Sequence, residues 1–174
     1  LGANGAVSGL FGVIIGGWVA DRLRAHNPAG RVLVIMFGVI APIVPIWIGY
    51  TTNNVILFYV MNFAAGMLGA TALGAAAATT QDLVLPRMRG TATAAFFLAT
   101  TLVGLSFGPY MVGQISDLAG TVVDGKLVGN LRVGILSLIA VAPVALALLI
   151  SAYRLLPTAE RTIVERARAA GEPV

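Results

Sequence analysis

Four long stretches of the sequence contain no charged residue. They cover residues 1–20, 32–81, 90–116 and 133–153. A bilayer core roughly 30 Å thick is crossed by about 20 helical residues. The first, third and fourth stretches therefore each match one crossing, and the second, interrupted by polar residues at 50–54, matches two. The pattern predicts an all-α integral membrane protein with five transmembrane helices.

The composition agrees with this prediction. Apolar residues make up 58% of the chain and charged residues 10%, whereas soluble domains usually carry about a quarter charged residues. The first stretch lacks the basic start and small-residue cleavage site of a signal peptide, so we interpret it as a span. Because the chain opens directly inside apolar sequence, we expect it to be a fragment of a longer protein.

The predicted spans form one bundle over residues 1–156, followed by a cytoplasmic tail at 157–174. We expect the long connection at 117–132 to be irregular because it contains several glycines. The tail is expected either to start a short helix with Thr158 as its N-cap or to fray. The spans themselves are predicted at about 3–20, 32–50, 55–80, 91–116 and 133–153.

The basic residues are distributed unevenly between the loops. Nine of the eleven lie in the first loop, in the third loop or after the last span, and only Lys126 and Arg132 lie in the alternate loops. Basic loops stay on the cytoplasmic side of a membrane. We therefore predict a protein of the plasma (inner) membrane with a cytoplasmic C-terminus, and we attribute its net charge of +4 to topology rather than to nucleic-acid binding.

The chemistry of an enzyme is missing from this pattern. No Asp, Glu, Lys, Arg or His occurs inside the predicted spans, the chain has no cysteine, and its single histidine, His26, falls in a loop. Intramembrane ionisable residues usually carry proton or ion coupling. We predict no catalytic residue, no metal site, no cofactor and no proton relay in these spans.

The polar residue of greatest interest in the spans is Asn62. It lies in the third span beside Tyr59 and Phe63, so that an amide adjoins an aromatic wall, as is common in ligand pockets. Substrate contact and an interhelical hydrogen bond are both compatible with this position. Tyr110 and Asn4 are the other residues that we predict along a transport pathway.

Small residues at a spacing of four lie on one face of a helix and allow two helices to approach closely. The first span contains the pairs Gly5 and Gly9 and Gly12 and Gly16, and the third contains the ladder Gly66, Ala70, Gly74 and Ala78. The fourth span contains Gly104, Gly108, Pro109 and Gly113, which predict a kink.

The loop after the first span contains a glycine, an Asp–Arg pair and two further arginines, namely Gly17, Asp21, Arg22, Arg24 and Arg31. This pattern resembles the loop motif between the second and third helices of each half of major facilitator superfamily transporters, although residues 25–29 separate Arg24 from Arg31. Residues 81–94 and 108–117 resemble the connection from helix ten into helix eleven, most closely in the spinster-like branch.

The resemblance implies that the five spans are helices eight to twelve, part of a six-helix half-bundle, with helix seven and the N-terminal half missing. Helices two to six are the alternative, which the basic tail and the long loop before the last span disfavour. The implied function is secondary active transport by alternating access, importing or exporting a small organic solute of amphipathic or lipid-like character.

Under the same resemblance, spans one, three and four line the cavity and spans two and five face lipid. The implied partners are the bilayer, the missing half and a small-molecule substrate. A non-transporting membrane scaffold or assembly subunit remains the alternative, because glycine ladders also serve helix packing alone.

Overall fold

The computed structural model describes residues 2–27, 29–123 and 126–169. Within these ranges, five helical segments are long and apolar enough to cross a membrane. They cover Gly2–His26, Gly30–Thr51, Val55–Asp82, Pro86–Leu118 and Leu131–Leu156. The predicted fold class, an all-α membrane protein with five transmembrane helices, is confirmed.

The first three crossings contain four helices. Helix α1 (Gly2–His26) forms the first crossing and α4 (Val55–Asp82) the third. The second crossing is divided into α2 (Gly30–Ile40) and α3 (Ile43–Thr51). Pro42 lies at the division, where its missing N–H cannot continue the helical hydrogen-bond pattern.

The fourth crossing changes helix type along its length. A 3-10 turn (Pro86–Met88) leads into α5 (Arg89–Thr101), and a π-helical segment (Leu102–Phe107) joins α5 to α6 (Gly108–Leu118). A π-helical segment locally alters the helical ladder and is a recognised cause of bending.

The connection after α6 differs from the sequence-based expectation. It contains a short antiparallel hairpin of β1 (Thr121–Val123) and β2 (Lys126–Val128), in which Thr121 pairs with Val128. Repeated glycines predicted an irregular loop, but the Thr and Val residues of β1 and the Val of β2 have high strand propensity.

The fifth crossing comprises α7 (Leu131–Ser137), a 3-10 segment (Leu138–Val141) and α8 (Ala142–Ala169). The expectation of a helix starting at Thr158 is wrong, because α8 continues through Pro157. A helix that is already formed needs no new nucleation to extend past one missing hydrogen bond.

The closest packing in the molecule is between α1 and α4. Residues Ser8, Gly12, Gly16 and Ala20 form the buried stripe of α1, one residue per turn. A Cβ atom added at Gly16 would lie 2.6 Å from the Thr71 carbonyl oxygen. The two helices run in the same direction, since Asn4 lies beside Tyr59 and Gly16 beside Thr71.

The other helices also pack through small residues. A Cβ atom at Gly38 of α2 would lie 2.7 Å from the Ala72 Cβ atom of α4, and one at Gly134 of α7 would lie 2.5 Å from the Val112 carbonyl oxygen of α6. Helix α8 packs on the start of α2, where Leu156 joins a cluster with Val32. Backbone contact of this kind replaces the hydrophobic drive that lipid does not provide.

The two ends of the bundle differ in charge. One end, here called the arginine-rich end, holds the connection from α1 to α2 and the end of α4, and there Asn27 donates a 3.3 Å hydrogen bond to the Tyr153 hydroxyl of α8. At the opposite end, Arg132 donates a 3.3 Å hydrogen bond to the side-chain oxygen of Asn53. The alternation of the crossings predicts Asp124 at this opposite end, but Asp124 lies outside the described residues.

Candidate functional site

An ion-pair network joins three helices at the arginine-rich end. Arg31, at the start of α2, binds Asp21 of α1 at 2.7 Å. Arg31 also binds Asp82, the last residue of α4, and Arg24 of α1 binds the same carboxylate. A further bond of 3.4 Å runs from Arg31 to the Ala78 carbonyl oxygen. The parallel course of α1 and α4 makes the network feasible, because it brings both helix ends to the same level.

The members of the network differ in burial. The side chains of Arg31 and Asp82 are 14% and 19% exposed, whereas Asp21 is 66% exposed. Charged hydrogen bonds strengthen as water is excluded, so the Arg31–Asp82 pair forms the inner part of the network. Asp21 remains accessible to a further partner.

Other residues of the loop motif have separate roles. The Arg22 guanidinium lies over the Trp18 ring, 4.4 Å from its centroid, and so stabilises the helix end through a cation–π contact. A Cβ atom at Gly17 would meet nothing within 4 Å. Gly30 is closely confined, since a Cβ atom there would lie 2.6 Å from the Leu23 carbonyl oxygen. Glycine therefore allows α2 to start directly against the end of α1.

Sequence reasoning did not identify Asp82 as the partner of these arginines. A usable signal exists, because Asp82 is the only acidic residue between Asp21 and Asp117. An isolated acid at the basic end of a span needs a cationic partner. The insertion at residues 25–29 does not keep Arg31 from joining the network.

The predicted pathway residues fall into two places. Asn4 of α1 donates a 3.1 Å hydrogen bond to the Tyr59 carbonyl oxygen of α4, while its own side-chain oxygen is buried without a partner. Phe63 is half-buried and lies one turn further along α4. Tyr110 lies apart from this group, exposed on α6, a helix that packs against α7.

Asn62 is half-buried in α4. Its side chain forms no hydrogen bond with any residue in the described ranges. The interhelical hydrogen bond considered from the sequence is therefore not made within this part of the chain. An amide with unmet hydrogen bonds in a membrane span needs a partner from a ligand, water or another segment.

The predicted packing glycines also divide into two groups. A Cβ atom at Gly66 would lie 2.5 Å from the Ser8 hydroxyl oxygen, and one at Gly74 would lie 3.1 Å from the Val13 carbonyl oxygen. At Gly104, Gly108 and Gly113 a Cβ atom would meet nothing within 4 Å. Gly104 lies within the π-helical segment, and Gly108 and Gly113 lie on either side of Pro109 in α6, where the fourth crossing changes helix type.

Metal chemistry finds no support in the described part of the chain, where no group of three or more His, Cys, Asp or Glu side chains occurs. The arrangement instead offers two things. One is the ion-pair network at the arginine-rich end, and the other is a set of polar and aromatic side chains near the starts of α1 and α4.

Comparison with known proteins reveals relatives of this chain. The chain is 30% identical over 118 residues to an MFS-type efflux pump from Mycolicibacterium smegmatis, a match that covers 66% of the chain and 26% of that protein. It is 31% identical over 117 residues to protein spinster homolog 1 from Xenopus laevis, covering 64% of the chain and 22% of the relative.

The human protein spinster homolog 1 is 30% identical over 117 residues, with 64% of the chain and 21% of the relative covered. The chain thus spans about a quarter or less of the length of these relatives. No protein-family model matches it, and no solved structure matches it.

Proposed function

This chain is related to the major facilitator superfamily through its spinster-like branch, and on that premise we propose that it is part of a secondary active transporter that works by alternating access. The solute is a small organic molecule of amphipathic or lipid-like character. Import and export both fit the fold, and the similarity to an efflux pump favours export. The other half of the transporter is the missing partner.

The observation that carries this proposal is the ion-pair network of Arg24, Arg31 and Asp82 with the more exposed Asp21. Alternating access requires two helix bundles to close at one end of the membrane while they open at the other. A charged cluster fixed inside one bundle, with one carboxylate left accessible, is suited to bind the other bundle in only one of the two states. Such a differential contact biases the conformational equilibrium.

The pathway lies on the face formed by the cavity-side helices α1, α4 and α6. The unpartnered oxygen of Asn4 and the unpaired amide of Asn62 support this assignment, because each gains a hydrogen bond when a solute or the second half adjoins it. Tyr59, Phe63 and Tyr110 add aromatic surface. In this proposal Tyr110 approaches the others only across the cavity.

The arginine-rich end lies on the cytoplasmic side of the plasma membrane, and the C-terminus lies on the same side. The support is the positive-inside rule together with the arginines at the end of α1, the start of α2 and the start of α5. No enzymatic role is assigned.

A flux assay tests the pathway. The full-length protein is reconstituted in liposomes, and transport of a labelled lysophospholipid and of an amphipathic cationic dye is measured for the wild type and for Asn62→Ala. We expect about a fivefold to tenfold loss of apparent affinity or rate, the effect of about one lost hydrogen bond. Ser151→Ala is the control, since that exposed hydroxyl of α8 bonds only within its own helix.

Unchanged affinity and rate for Asn62→Ala at normal expression would remove Asn62 from the pathway. Failure to move any amphipathic probe would favour the alternative, a non-transporting scaffold. That alternative has its own support, because Gly12 and Gly16 serve helix packing without any need for transport.

A second flux experiment tests the network. We expect Asp21→Asn to lower the transport rate severalfold while leaving the thermal stability nearly unchanged, because Asp21 is the most exposed member of the network. Asp117→Asn, at the opposite end of the bundle, is the matched control. Equal flux in the two variants would mean that the charges of the loop motif only orient the protein in the membrane and have no role in transport.

A further inference from the structure

A recess of about 460 Å³ opens at the end of the bundle opposite the arginine-rich end. It lies between the end of α3, the start of α4 and the start of α7. Aromatic side chains and one cation share its lining, which includes Tyr50, Phe58, Tyr59, Leu131 and Arg132. Tyr50 and Phe58 stack edge to face with ring centroids 5.3 Å apart, which gives the recess a rigid aromatic side.

The charge of Arg132 is not neutralised within the described part of the chain. Its guanidinium donates two bonds of 3.3 Å, one to the Thr52 carbonyl oxygen and one to the Asn53 side-chain oxygen, and both acceptors are neutral. It forms no ion pair with a described residue. The other N–H groups of the Arg132 guanidinium are available to an anion. The planar, forked arrangement of these donors matches the oxygen atoms of a phosphate.

A second recess of about 230 Å³, lined only by apolar side chains, lies between the second and fifth crossings. Its lining includes Pro42 and Ile46 on one side and Ile135, Leu138 and Ala145 on the other. The break of the second crossing at Pro42 and the small side chain at Ala145 leave this space open. Ile46 precedes Gly49 of the first recess by three residues and Ile135 follows Arg132 by three, so the second recess begins one turn deeper.

We propose that the two recesses together bind one anionic phospholipid of the leaflet at this end, with its phosphate at Arg132 and an acyl chain in the apolar recess. From Arg132 to Ala145 is 13 residues, about 20 Å along a helix. This length exceeds the depth of one leaflet, half of the roughly 30 Å core, so the lining residues extend over the depth that an acyl chain occupies in that leaflet.

The location matches the chemistry of such a lipid. Tyr side chains concentrate at the level of the lipid headgroups, and an arginine there without an anionic partner attracts a phosphate headgroup. The apolar recess lies between the second and fifth crossings, whereas the first recess also includes the start of α4, where Tyr59 belongs to the proposed pathway. The lipid site rests on the membrane fold alone, so it does not depend on the proposed transport activity.

Native mass spectrometry of the delipidated full-length protein tests the site. The protein is titrated with dipalmitoyl phosphatidylglycerol, and the apparent dissociation constant of the first bound lipid is measured for the wild type, Arg132→Gln, Arg132→Lys and Leu138→Trp. Leu138 lines the apolar recess and is already 44% exposed, so the larger ring blocks the recess without entering a packed core.

Two matched controls separate the site from general effects. Arg154→Gln removes the same charge at the arginine-rich end, and Leu148→Trp makes the same side-chain exchange at a residue of α8 that is 67% exposed and outside both recesses. We expect Arg132→Gln and Leu138→Trp to weaken binding about tenfold or more, and both controls to match the wild type. Arg132→Lys should weaken binding less than Arg132→Gln, because lysine keeps the charge but lacks the fork of N–H donors.

Three outcomes would overturn the proposal. The first is wild-type affinity in Arg132→Gln, and the second is an equal loss in Arg154→Gln, which would reflect net charge alone. The third is competition by inorganic phosphate at the lipid's own concentrations with no effect of Leu138→Trp. That result would identify a site for a free anion rather than for a lipid.

Discussion

Replacing Gly16 by alanine should separate the two most closely packed helices of the bundle. A Cβ atom at this position would lie 2.6 Å from the Thr71 carbonyl oxygen and 2.8 Å from the Thr71 Cβ atom. Thr71 cannot turn away, because its backbone belongs to α4 and its hydroxyl donates a 2.6 Å hydrogen bond to the Leu68 carbonyl oxygen. The helices must therefore move apart.

The size of the effect follows from these distances. Ordinary van der Waals contact begins at 3.4 Å, and the nearest atom, the Thr71 Cα atom, would lie 2.4 Å from the new Cβ atom. Helix α1 must therefore move away from α4 by about 1 Å. Overpacking of this kind costs about 1–3 kcal/mol. Alanine also favours the helix over glycine by about 0.8–1 kcal/mol, which offsets part of that cost.

Gly9→Ala isolates the steric part of the effect. Gly9 lies in the same helix, and a Cβ atom there would meet nothing within 4 Å. Both variants gain the same helix propensity, so the difference between them measures the packing cost alone. We expect the free energy of unfolding of Gly16→Ala to be about 2 kcal/mol lower than that of Gly9→Ala. For a chain of this size, this difference corresponds to a melting temperature lower by about 4–8 °C.

The assay is thermal unfolding of the purified protein in detergent, followed by size-exclusion chromatography of a fluorescent fusion. Equal melting temperatures for Gly16→Ala and Gly9→Ala would refute the reasoning, because they would mean that α1 and α4 are not in backbone contact at Gly16. A fall in both variants together would equally contradict it.

Two further predictions concern the ends of the bundle. Asp82→Asn should destabilise the fold by about 1–3 kcal/mol, because it leaves two arginines without their shared carboxylate. Asp117→Asn, at an exposed residue, should leave the stability unchanged. Equal melting temperatures for the two variants would contradict the ion-pair network. Because this chain contains no cysteine, Asn53→Cys and Arg87→Cys, placed in a cysteine-free background, report topology. A membrane-impermeant maleimide should label only Asn53→Cys in intact cells, and labelling of both would overturn the assigned orientation.

The number of crossings could be predicted from the sequence because each helix meets the bilayer separately. A run of about 20 uncharged residues satisfies the length of the hydrocarbon core whatever its neighbours are. The helices at Val55–Asp82 and Leu131–Leu156 accordingly coincide with apolar runs. The grouping of arginines into alternate loops is likewise a property of the linear sequence.

The faces on which the helices meet could not be predicted. In α1 the pairs Gly5 and Gly9 and Gly12 and Gly16 have the same spacing, yet only the second pair is buried. Lipid tails and neighbouring helices are equally apolar, so a membrane helix carries no polar stripe to mark its outer face. The contacting pair is decided by the course of α4 alongside α1.

The candidate sites divide in the same way. The sequence alone determined that Asp21 and Arg31 lie between two apolar runs and that Asn62 is an uncharged amide within a third. Only the tertiary structure decided that Asp82, 51 residues beyond Arg31, completes the ion-pair network, and that Arg132 borders a recess formed with the start of α4. The physical reason is that hydropathy acts on each segment by itself, whereas an ion pair or a recess requires two segments to end at the same level and side of the bundle.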